Sequence, residues 1–166
     1  NEILIQSPYL VTSGLSLGLF KDAGRRGVKI KILTNSFAST DNIEAFSGYH
    51  RNRKKILDTG AHIFEYKPDA QIRRDIMYND LQKKLDYSPI FAIHAKSMVI
   101  DSKITVIATF NLDPRSANLN TECVTIIYSH EISENVKLLM EKELQPENSW
   151  EVTKSFKLFK LQWLIK

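Results

Sequence analysis

The sequence predicts an α/β fold layered around a β-sheet. Two observations predict it: apolar residues switch between periods of two and 3.6 residues, and the resulting order is strand, helix, strand, helix, strand. A third observation is size, because 166 residues with 43% apolar content suffice for one compact core and are too few for two. We therefore expect a single domain over residues 1–166.

The first part of the chain alternates strands with helices that carry recognisable ends. Ser13 can cap a helix that runs to about Arg26, and Gly27 can close it. A second helix is expected from Asp41, as its cap, to Thr59, with Gly60 ending it. The strands predicted around these helices are Ile3–Ile5, Val28–Leu33 and Ala61–Tyr66.

The rest of the chain begins with a weaker segment, residues 68–89. This segment fits either a solvated amphipathic helix, with Ile72, Ile76, Leu81 and Leu85 along one side, or a mobile loop that faces substrate. Closely spaced strands follow it. The elements predicted here are strands at Ile90–Ile93, Ser97–Asp101, Ile104–Thr109 and Glu122–Tyr128, and a helix at Glu131–Leu144.

Charge and cysteine content exclude several classes of protein. The net charge of +4 and the pI of about 9.1 suit a partner that carries phosphate, but are far from those of bulk nucleic-acid binders. A single cysteine, Cys123, excludes an internal disulfide and a Cys-rich zinc site, and we expect it to be a small buried strand residue. No apolar run approaches the roughly 18 residues of a membrane span. Because the chain opens at Asn1 without Met, we expect it to be a piece of a longer protein.

The residues that carry chemistry lie between positions 94 and 122. Residues i and i+2 of a strand share a face, so a strand here would present the His94 imidazole beside the Lys96 ammonium. Lys96 and the Asn111 amide can hold phosphoryl oxygens, while a neutral imidazole can attack phosphorus. A carboxylate on the second ring nitrogen would fix the tautomer, and Glu122 or Asp101 can supply it. The pattern indicates attack on a phosphodiester.

The spacing of these residues resembles a known signature. H-x-K-x4-D from His94 to Asp101, followed by T-x-N at 109–111 and an acid at 122, is the pattern of the phospholipase D superfamily. Residues 1–150 also resemble the C-terminal half of bacterial cardiolipin synthase-like proteins. The stretches that carry this resemblance are Leu33–Ser36, Ser39–Asp41, Gly48–Tyr49, Leu57–Gly60, Glu65–Pro68, Phe110–Ser116 and Leu119–Glu122.

This resemblance implies a fold and roles for individual residues. The fold is a phospholipase D-like half, a mixed β-sheet with helices on both faces. His94 would form a phosphohistidine or act as acid and base, with Glu122 orienting it. Lys96, Thr109 and Asn111 would bind substrate phosphate, and no metal or other cofactor is implied. Asp101 completes the catalytic set but tends to have a supporting role.

Two positions depart mildly from the family pattern. Ala108 stands where Gly is usual, and Thr109 where Ser is common, although Thr keeps the hydroxyl. Neither change removes a group that the chemistry requires.

Members of the superfamily use two such motifs that face each other, and this chain contains one. We expect the second motif in a missing N-terminal half, and the alternative is a homodimer. The leading function is phosphatidyl transfer or hydrolysis of glycerophospholipids, peripheral at the cytoplasmic side of a membrane. The alternatives are a homodimeric, metal-independent nuclease and a non-catalytic scaffold.

Other features are assigned structural roles. His50, His62 and His130 have no partner at metal-ligand spacing. The basic cluster at 50–55 fits a solvated helix face, or a surface for anionic headgroups or nucleic-acid phosphates. The tail Phe156–Lys166 fits a strand that pairs with 150–153, or an amphipathic segment at a membrane interface.

Overall fold

A computed structural model describes residues 1–72 and 92–155, and these ranges form a seven-stranded sheet with four helices. The expectations for residues 73–91 and 156–166 lie outside the described residues. The strands are β1 (Glu2–Gln6), β2 (Lys29–Asn35), β3 (His62–Tyr66), β4 (Ser97–Ile100), β5 (Ile104–Ala108), β6 (Val124–Tyr128) and β7 (Ser149–Val152). The helices are α1 (Gly14–Arg25), α2 (Ile43–Leu57), α3 (Pro114–Asn118) and α4 (His130–Glu143).

The sheet is mixed, in the order β6-β5-β4-β1-β2-β3-β7. The strands β1, β2 and β3 are parallel, and α1 and α2 make the connections between them. All other neighbours are antiparallel, so the later strands extend the parallel core at both edges. This arrangement confirms the predicted α/β fold class.

Helices cover both faces of the sheet, as neighbouring residues of β1 show. Ile5 belongs to a buried cluster that includes Ala23 of α1 and Phe46 of α2. Leu4 points to the opposite face because side chains alternate along a strand, and it packs in a cluster with Met140 of α4. Burial of these two apolar layers stabilises the fold, at about 25 cal/mol per Å² of apolar surface.

The ends of the first helix follow the sequence closely. The side chain of Ser13 accepts a hydrogen bond from the Ser16 N–H, and that of Ser16 accepts one from the Ser13 N–H, which completes a capping box. Gly27 has φ +76°, in the left-handed region that glycine adopts without strain. The predicted helix is confirmed.

The cap predicted for the second helix was wrong by one residue. Asn42 is the cap, and its side-chain oxygen accepts a hydrogen bond from the Ala45 N–H at 2.8 Å. The Asp41 carboxylate instead accepts from the Tyr9 hydroxyl, at 3.1 and 3.2 Å. Local propensity favoured Asp41 as the cap, but its side chain makes a tertiary contact with Tyr9 instead.

Part of the predicted basic face of α2 is turned inward. The Arg53 guanidinium lies 3.3 Å from the buried carboxylate of Glu65, which also accepts a hydrogen bond from Tyr49 at 2.8 Å. Arg51, Lys54 and Lys55 of the cluster are exposed. The solvated-face interpretation therefore fails for Arg53, which compensates a buried charge.

The later elements differ from expectation at three places. Ala92 and Ile93, the described part of the segment predicted as a strand at 90–93, are not in a strand, and β6 begins at Val124 rather than at residue 122. The short helix α3 was not predicted, although Asp113 caps it and Pro114 occupies its first turn. Within residues 1–72 and 92–155, none of the helices combines the length and apolar character needed to cross a membrane.

Candidate active site

Most residues of the motif converge because of the antiparallel order of β1, β4, β5 and β6. The last residue of β1 pairs with the first of β4, and Ala108 at the end of β5 pairs with the first residue of β6. The segments before β4, after β5 and before β6 therefore meet at one edge of the sheet. They line a cleft of about 750 Å³ formed by His94, Lys96, Ala108, Thr109, Asn111, Asn120, Thr121 and Glu122.

The segment that carries His94 and Lys96 is not a strand, contrary to expectation. Residues 92–96 precede β4 without regular structure. Two contacts place them instead: the Asn35 side chain makes hydrogen bonds of 2.9 and 3.0 Å to the backbone of Ile93, and the Ala108 N–H donates to the Lys96 carbonyl at 2.9 Å. His94 and Lys96 still line the same cleft, so the predicted juxtaposition holds through tertiary contacts.

Lys96 lies in a partly desolvated position beside several carboxylates. Its ammonium donates a hydrogen bond to the His94 carbonyl at 2.9 Å. Burial lowers the pKa of Lys96, while the nearby charges of Asp41, Glu122 and Asp113 act in the opposite direction. A phosphate that entered the cleft would meet this ammonium beside the imidazole.

Thr109 links the end of β5 to Glu122. Its hydroxyl donates to the Glu122 carboxylate and accepts from the Cys123 N–H at 2.9 Å. The Asn120 amide also donates to Glu122, at 3.1 Å. The hydrogen bond from Thr109 is the largest of the effects that lower the pKa of Glu122, so the carboxylate stays ionised in the cleft.

Asn111 has an unsatisfied polar atom. Its backbone N–H donates to the Ser116 hydroxyl of α3 at 3.2 Å, which holds the residue against that helix. Its side-chain oxygen is buried and makes no hydrogen bond with the described residues. Buried polar atoms are normally paired, and pairing this one takes a hydrogen-bond donor such as a bound water.

The structure separates Asp101 from the other motif residues. Asp101 follows β4 at the end away from the cleft, and its carboxylate accepts a hydrogen bond from the Glu2 N–H at 2.7 Å. Its backbone has φ +52°, in a turn between β4 and β5. Asp101 therefore lies outside the cleft, where it anchors the start of β1, and its place in the catalytic set stays a prediction.

The expected contact between Glu122 and the His94 ring is not made. Across residues 1–72 and 92–155, the Glu122 carboxylate bonds to Thr109 and Asn120, and the imidazole nitrogens of His94 form no hydrogen bond. The role of Glu122 in orienting His94 stays a prediction. Both side chains do lie on the same cleft.

Sequence reasoning missed two residues near the cleft. The Tyr9 ring lies edge-on to the His94 imidazole, with centroids 6.3 Å apart, and its hydroxyl binds Asp41. Asp41 was noted only as a helix cap and as part of the family resemblance. The one sequence signal for Tyr9 is its position in the loop that follows a buried strand. Such loops meet at the ends of the strands, where sites form.

The remaining histidines and the cysteine lie outside the cleft lining. His62 pairs with Glu151 at 3.0 Å, His130 bonds to the Ser102 carbonyl at 2.7 Å, and His50 stacks on Phe46. These contacts agree with the structural roles expected of them. Cys123 was predicted to be a buried strand residue and is instead exposed, just before β6.

Comparison with known families gives a match over most of the chain. Residues 1–144 match the model of the cardiolipin synthase, phospholipase D-like domain. An uncharacterized protein of Helicobacter pylori (strain J99) is 30% identical over 150 residues, which cover 90% of this chain and 28% of that protein. Cardiolipin synthase C of Escherichia coli K12 is 36% identical over 133 residues, covering 80% of this chain and 27% of that protein. The chain thus spans less than a third of the length of these relatives.

A solved structure supports the same fold. Nuc from Salmonella typhimurium, a phospholipase D family member, superposes with a TM-score of 0.60 and 13% identity. The match covers 90% of this chain and 82% of that one. At this identity the similarity concerns the fold alone.

Proposed function

The chain belongs to the cardiolipin synthase, phospholipase D-like family, and from this premise we propose that it contributes half of an active site that cleaves and re-forms phosphodiester bonds of glycerophospholipids. The observation that carries the proposal is the convergence of an imidazole, an ammonium and an amide on one cleft, from His94, Lys96 and Asn111. The proposal is supported because these three groups have the chemistry of a nucleophile and two phosphate ligands and line the same cleft.

In the first step, a neutral ring nitrogen of His94 attacks the phosphorus atom of the phosphodiester. The nitrogen–phosphorus bond forms as the bond to the leaving alcohol oxygen breaks, and a general acid protonates that oxygen. The Lys96 ammonium and the Asn111 amide N–H stabilise charge on the non-bridging oxygens. The product is a phosphatidyl group on His94 and a free alcohol.

In the second step, an alcohol or water attacks the phosphohistidine. The group that served as acid removes the proton of the attacking hydroxyl, the new phosphorus–oxygen bond forms and the bond to His94 breaks. An alcohol acceptor gives phosphatidyl transfer, and water gives hydrolysis. The imidazole returns to its neutral state.

A second half is needed for the acid and base steps. His94 is occupied by phosphorus when the leaving oxygen must be protonated, so another group has to perform this proton transfer. Family resemblance suggests a second motif of the same kind, which a further domain of a longer protein or a second copy of this chain would supply. The proposal also implies contact with a membrane surface, where the substrate lies.

A nuclease is the second candidate function. The chain covers 82% of the length of Nuc, so a small member of the superfamily that carries one copy of this fold exists. The mechanism above applies unchanged to a nucleic-acid phosphodiester, and the net charge of +4 does not oppose such a substrate. The substrate assay therefore has to include both classes.

The experiment compares fluorescent phosphatidylglycerol with plasmid DNA, each with and without EDTA. It uses the 166-residue chain and a longer protein that contains it. We expect lipid turnover, and a reaction stopped with detergent at mildly alkaline pH, where the nitrogen–phosphorus bond survives, should yield a phosphatidyl–enzyme adduct that His94→Ala removes. His62→Ala, an exposed histidine on β3, is the matched control and should retain both signals.

Three measurements test the substrate, the catalytic residue and the partner in turn. Cleavage of DNA without lipid turnover would replace the first proposal by the nuclease. Turnover that survives His94→Ala would refute the catalytic assignment. Sedimentation tests the partner: activity that tracks a dimer of the 166-residue chain supports pairing of two copies, whereas an inactive monomer supports a separate second half.

A further inference from the structure

The Tyr9 ring restrains the imidazole of His94. The two ring centroids are 6.3 Å apart with an interplanar angle of 78°, an edge-to-face arrangement that aromatic rings favour. Among the described residues, no hydrogen bond fixes the rotation of the imidazole. Since the terminal torsion of a histidine is broad, the neighbouring ring limits how far the imidazole can turn.

Tyr9 is in turn held at both ends. Its carbonyl accepts a hydrogen bond from the Ser7 hydroxyl at 2.7 Å, and the next residue, Leu10, bridges to Leu112, the residue after Asn111. Its hydroxyl donates to the Asp41 carboxylate, at 3.1 and 3.2 Å. The backbone contacts therefore fix the position of Tyr9, and the hydrogen bond to Asp41 fixes the orientation of its ring.

Asp41 is presented by an ordered turn between β2 and α2. The Thr40 hydroxyl accepts from the Asn42 N–H at 3.2 Å and donates to the Asn42 carbonyl at 3.1 Å, so that the two residues flanking Asp41 are joined. The preceding Ser39, which is buried, donates to the Tyr66 carbonyl at 3.0 Å. The turn that carries Asp41 is thereby fixed against Tyr66, the last residue of β3.

We propose that Tyr9 is a positioning residue for His94 and that Asp41 acts through Tyr9 to hold the imidazole in the orientation from which it attacks phosphorus. The inference rests on the proposed function, in that His94 is the nucleophile. In-line attack requires a narrow range of ring orientations, and small misplacements of a reacting group reduce rates strongly. Neither Tyr9 nor Asp41 takes part in bond making.

An electrostatic role of Asp41 competes with the positioning role, and the choice of variants has to distinguish the two. Its charge also acts on Lys96, where it favours the ammonium form. A purely electrostatic role requires the negative charge, whereas the positioning role requires only an oxygen that accepts the hydrogen bond from Tyr9. Asp41→Asn keeps such an oxygen and removes the charge, and Asp41→Ala removes both.

The kinetic arm measures kcat and KM of Tyr9→Phe, Tyr9→Leu, Asp41→Asn and Asp41→Ala in the active form of the protein. We expect kcat to fall about 3- to 10-fold in Tyr9→Phe and Asp41→Ala and about 10- to 100-fold in Tyr9→Leu, with KM nearly constant. Asp41→Asn should retain most of the kcat that Asp41→Ala loses. The double variant Tyr9→Phe with Asp41→Ala should be no worse than either single one, because both remove the same hydrogen bond.

Matched controls are available on the same chain. Tyr128→Phe and Tyr128→Leu alter an exposed tyrosine at the far end of β6, and Asp58→Asn alters an exposed carboxylate after α2. All three should retain wild-type kinetics. Equal losses in Asp41→Asn and Asp41→Ala, additive losses in the double variant, or an effect of Tyr9→Leu no larger than that of Tyr128→Leu would overturn the proposal.

A second arm observes the imidazole itself and does not require turnover. In NMR spectra of the 166-residue chain, the His94 ring signals should shift most in Tyr9→Leu and by smaller, similar amounts in Tyr9→Phe and Asp41→Ala, with His62 as an internal reference. An unshifted His94 signal in Tyr9→Leu overturns the packing on which the proposal depends. If neither the 166-residue chain nor the longer protein turns over lipid or DNA, the proposed function fails, and the NMR arm alone then decides whether Tyr9 holds the ring.

Discussion

The side chain of Asn35 replaces a strand partner for the backbone of Ile93. Its amide donates to the Ile93 carbonyl at 3.0 Å, and its oxygen accepts from the Ile93 N–H at 2.9 Å. Asn35 is only 2% exposed, at the last position of β2, and Ile93 directly precedes His94. A buried side chain of the parallel core thereby fixes the start of the segment that carries His94 and Lys96.

Replacing Asn35 by Asp should disrupt this pairing. The carboxylate keeps an acceptor for the Ile93 N–H but places a second acceptor against the Ile93 carbonyl, in a buried position. We expect a loss of about 2–4 kcal/mol in the free energy of unfolding, because a buried polar group is left unpaired. Urea denaturation measures this loss, and activity should fall more than the folded fraction does.

Asn118→Asp is the control for this prediction. Asn118 is exposed at the end of α3, and its amide donates to the Pro114 carbonyl within the same helix. Its replacement should change the unfolding free energy by less than about 1 kcal/mol. Equal stability losses in the two variants would show that Asn35 has no special role.

The hydroxyl of Thr109 should control the ionisation of Glu122. Thr109→Val keeps the shape and removes the donor, so the pKa of Glu122 should rise toward its ordinary value. Activity should fall about 10- to 100-fold as the carboxylate loses its fixed position. Carboxyl NMR titration and kcat/KM measure the two effects. Thr109→Ser should restore both, and a wild-type titration of Glu122 in Thr109→Val would contradict the assignment.

Glu143, the last residue of α4, is a buried carboxyl group. It accepts a hydrogen bond from the Gln6 amide, and the Gln6 oxygen accepts one from the Ser97 hydroxyl at 2.5 Å. Burial raises the pKa of Glu143 to about 7, and the hydrogen bond from Gln6 offsets only part of that effect. The carboxyl group is therefore protonated in the folded protein at pH values where it is ionised in the unfolded chain.

The sign of the resulting pH dependence follows from proton linkage. The folded state binds the extra proton, so the contribution of Glu143 to stability is complete below the unfolded pKa of about 4.5 and is lost as the pH rises through about 7. Glu143→Gln should remove this slope and raise stability at pH 8 by on the order of 3 kcal/mol. Urea denaturation at pH 4.5 to 8 tests it. Parallel stability curves for the two proteins would show that the carboxyl group does not titrate in this range.

Much of the fold could be predicted because it depends on local signals. The capping box at Ser13 and the left-handed glycines at Gly27 and Gly60 mark the ends of helices wherever they pack. The alternation in 28–33 marks a strand in the same way. Asp41 shows the limit of local reasoning: it is a suitable cap by residue type, and the Tyr9 hydroxyl, 32 residues away in sequence, uses its carboxylate instead.

The sequence by itself determined which chemical groups are available: an imidazole, an ammonium, an amide and a carboxylate at the spacing of a phosphodiester-cleaving motif. Only the tertiary structure decided how they are held. It moved Asp101 to the far end of β4, placed His94 in a segment without a strand, and brought Asn35 and Tyr9 against that segment. The physical reason is that spacing within a motif specifies positions along one chain segment, whereas orientation depends on hydrogen bonds and packing with residues distant in sequence.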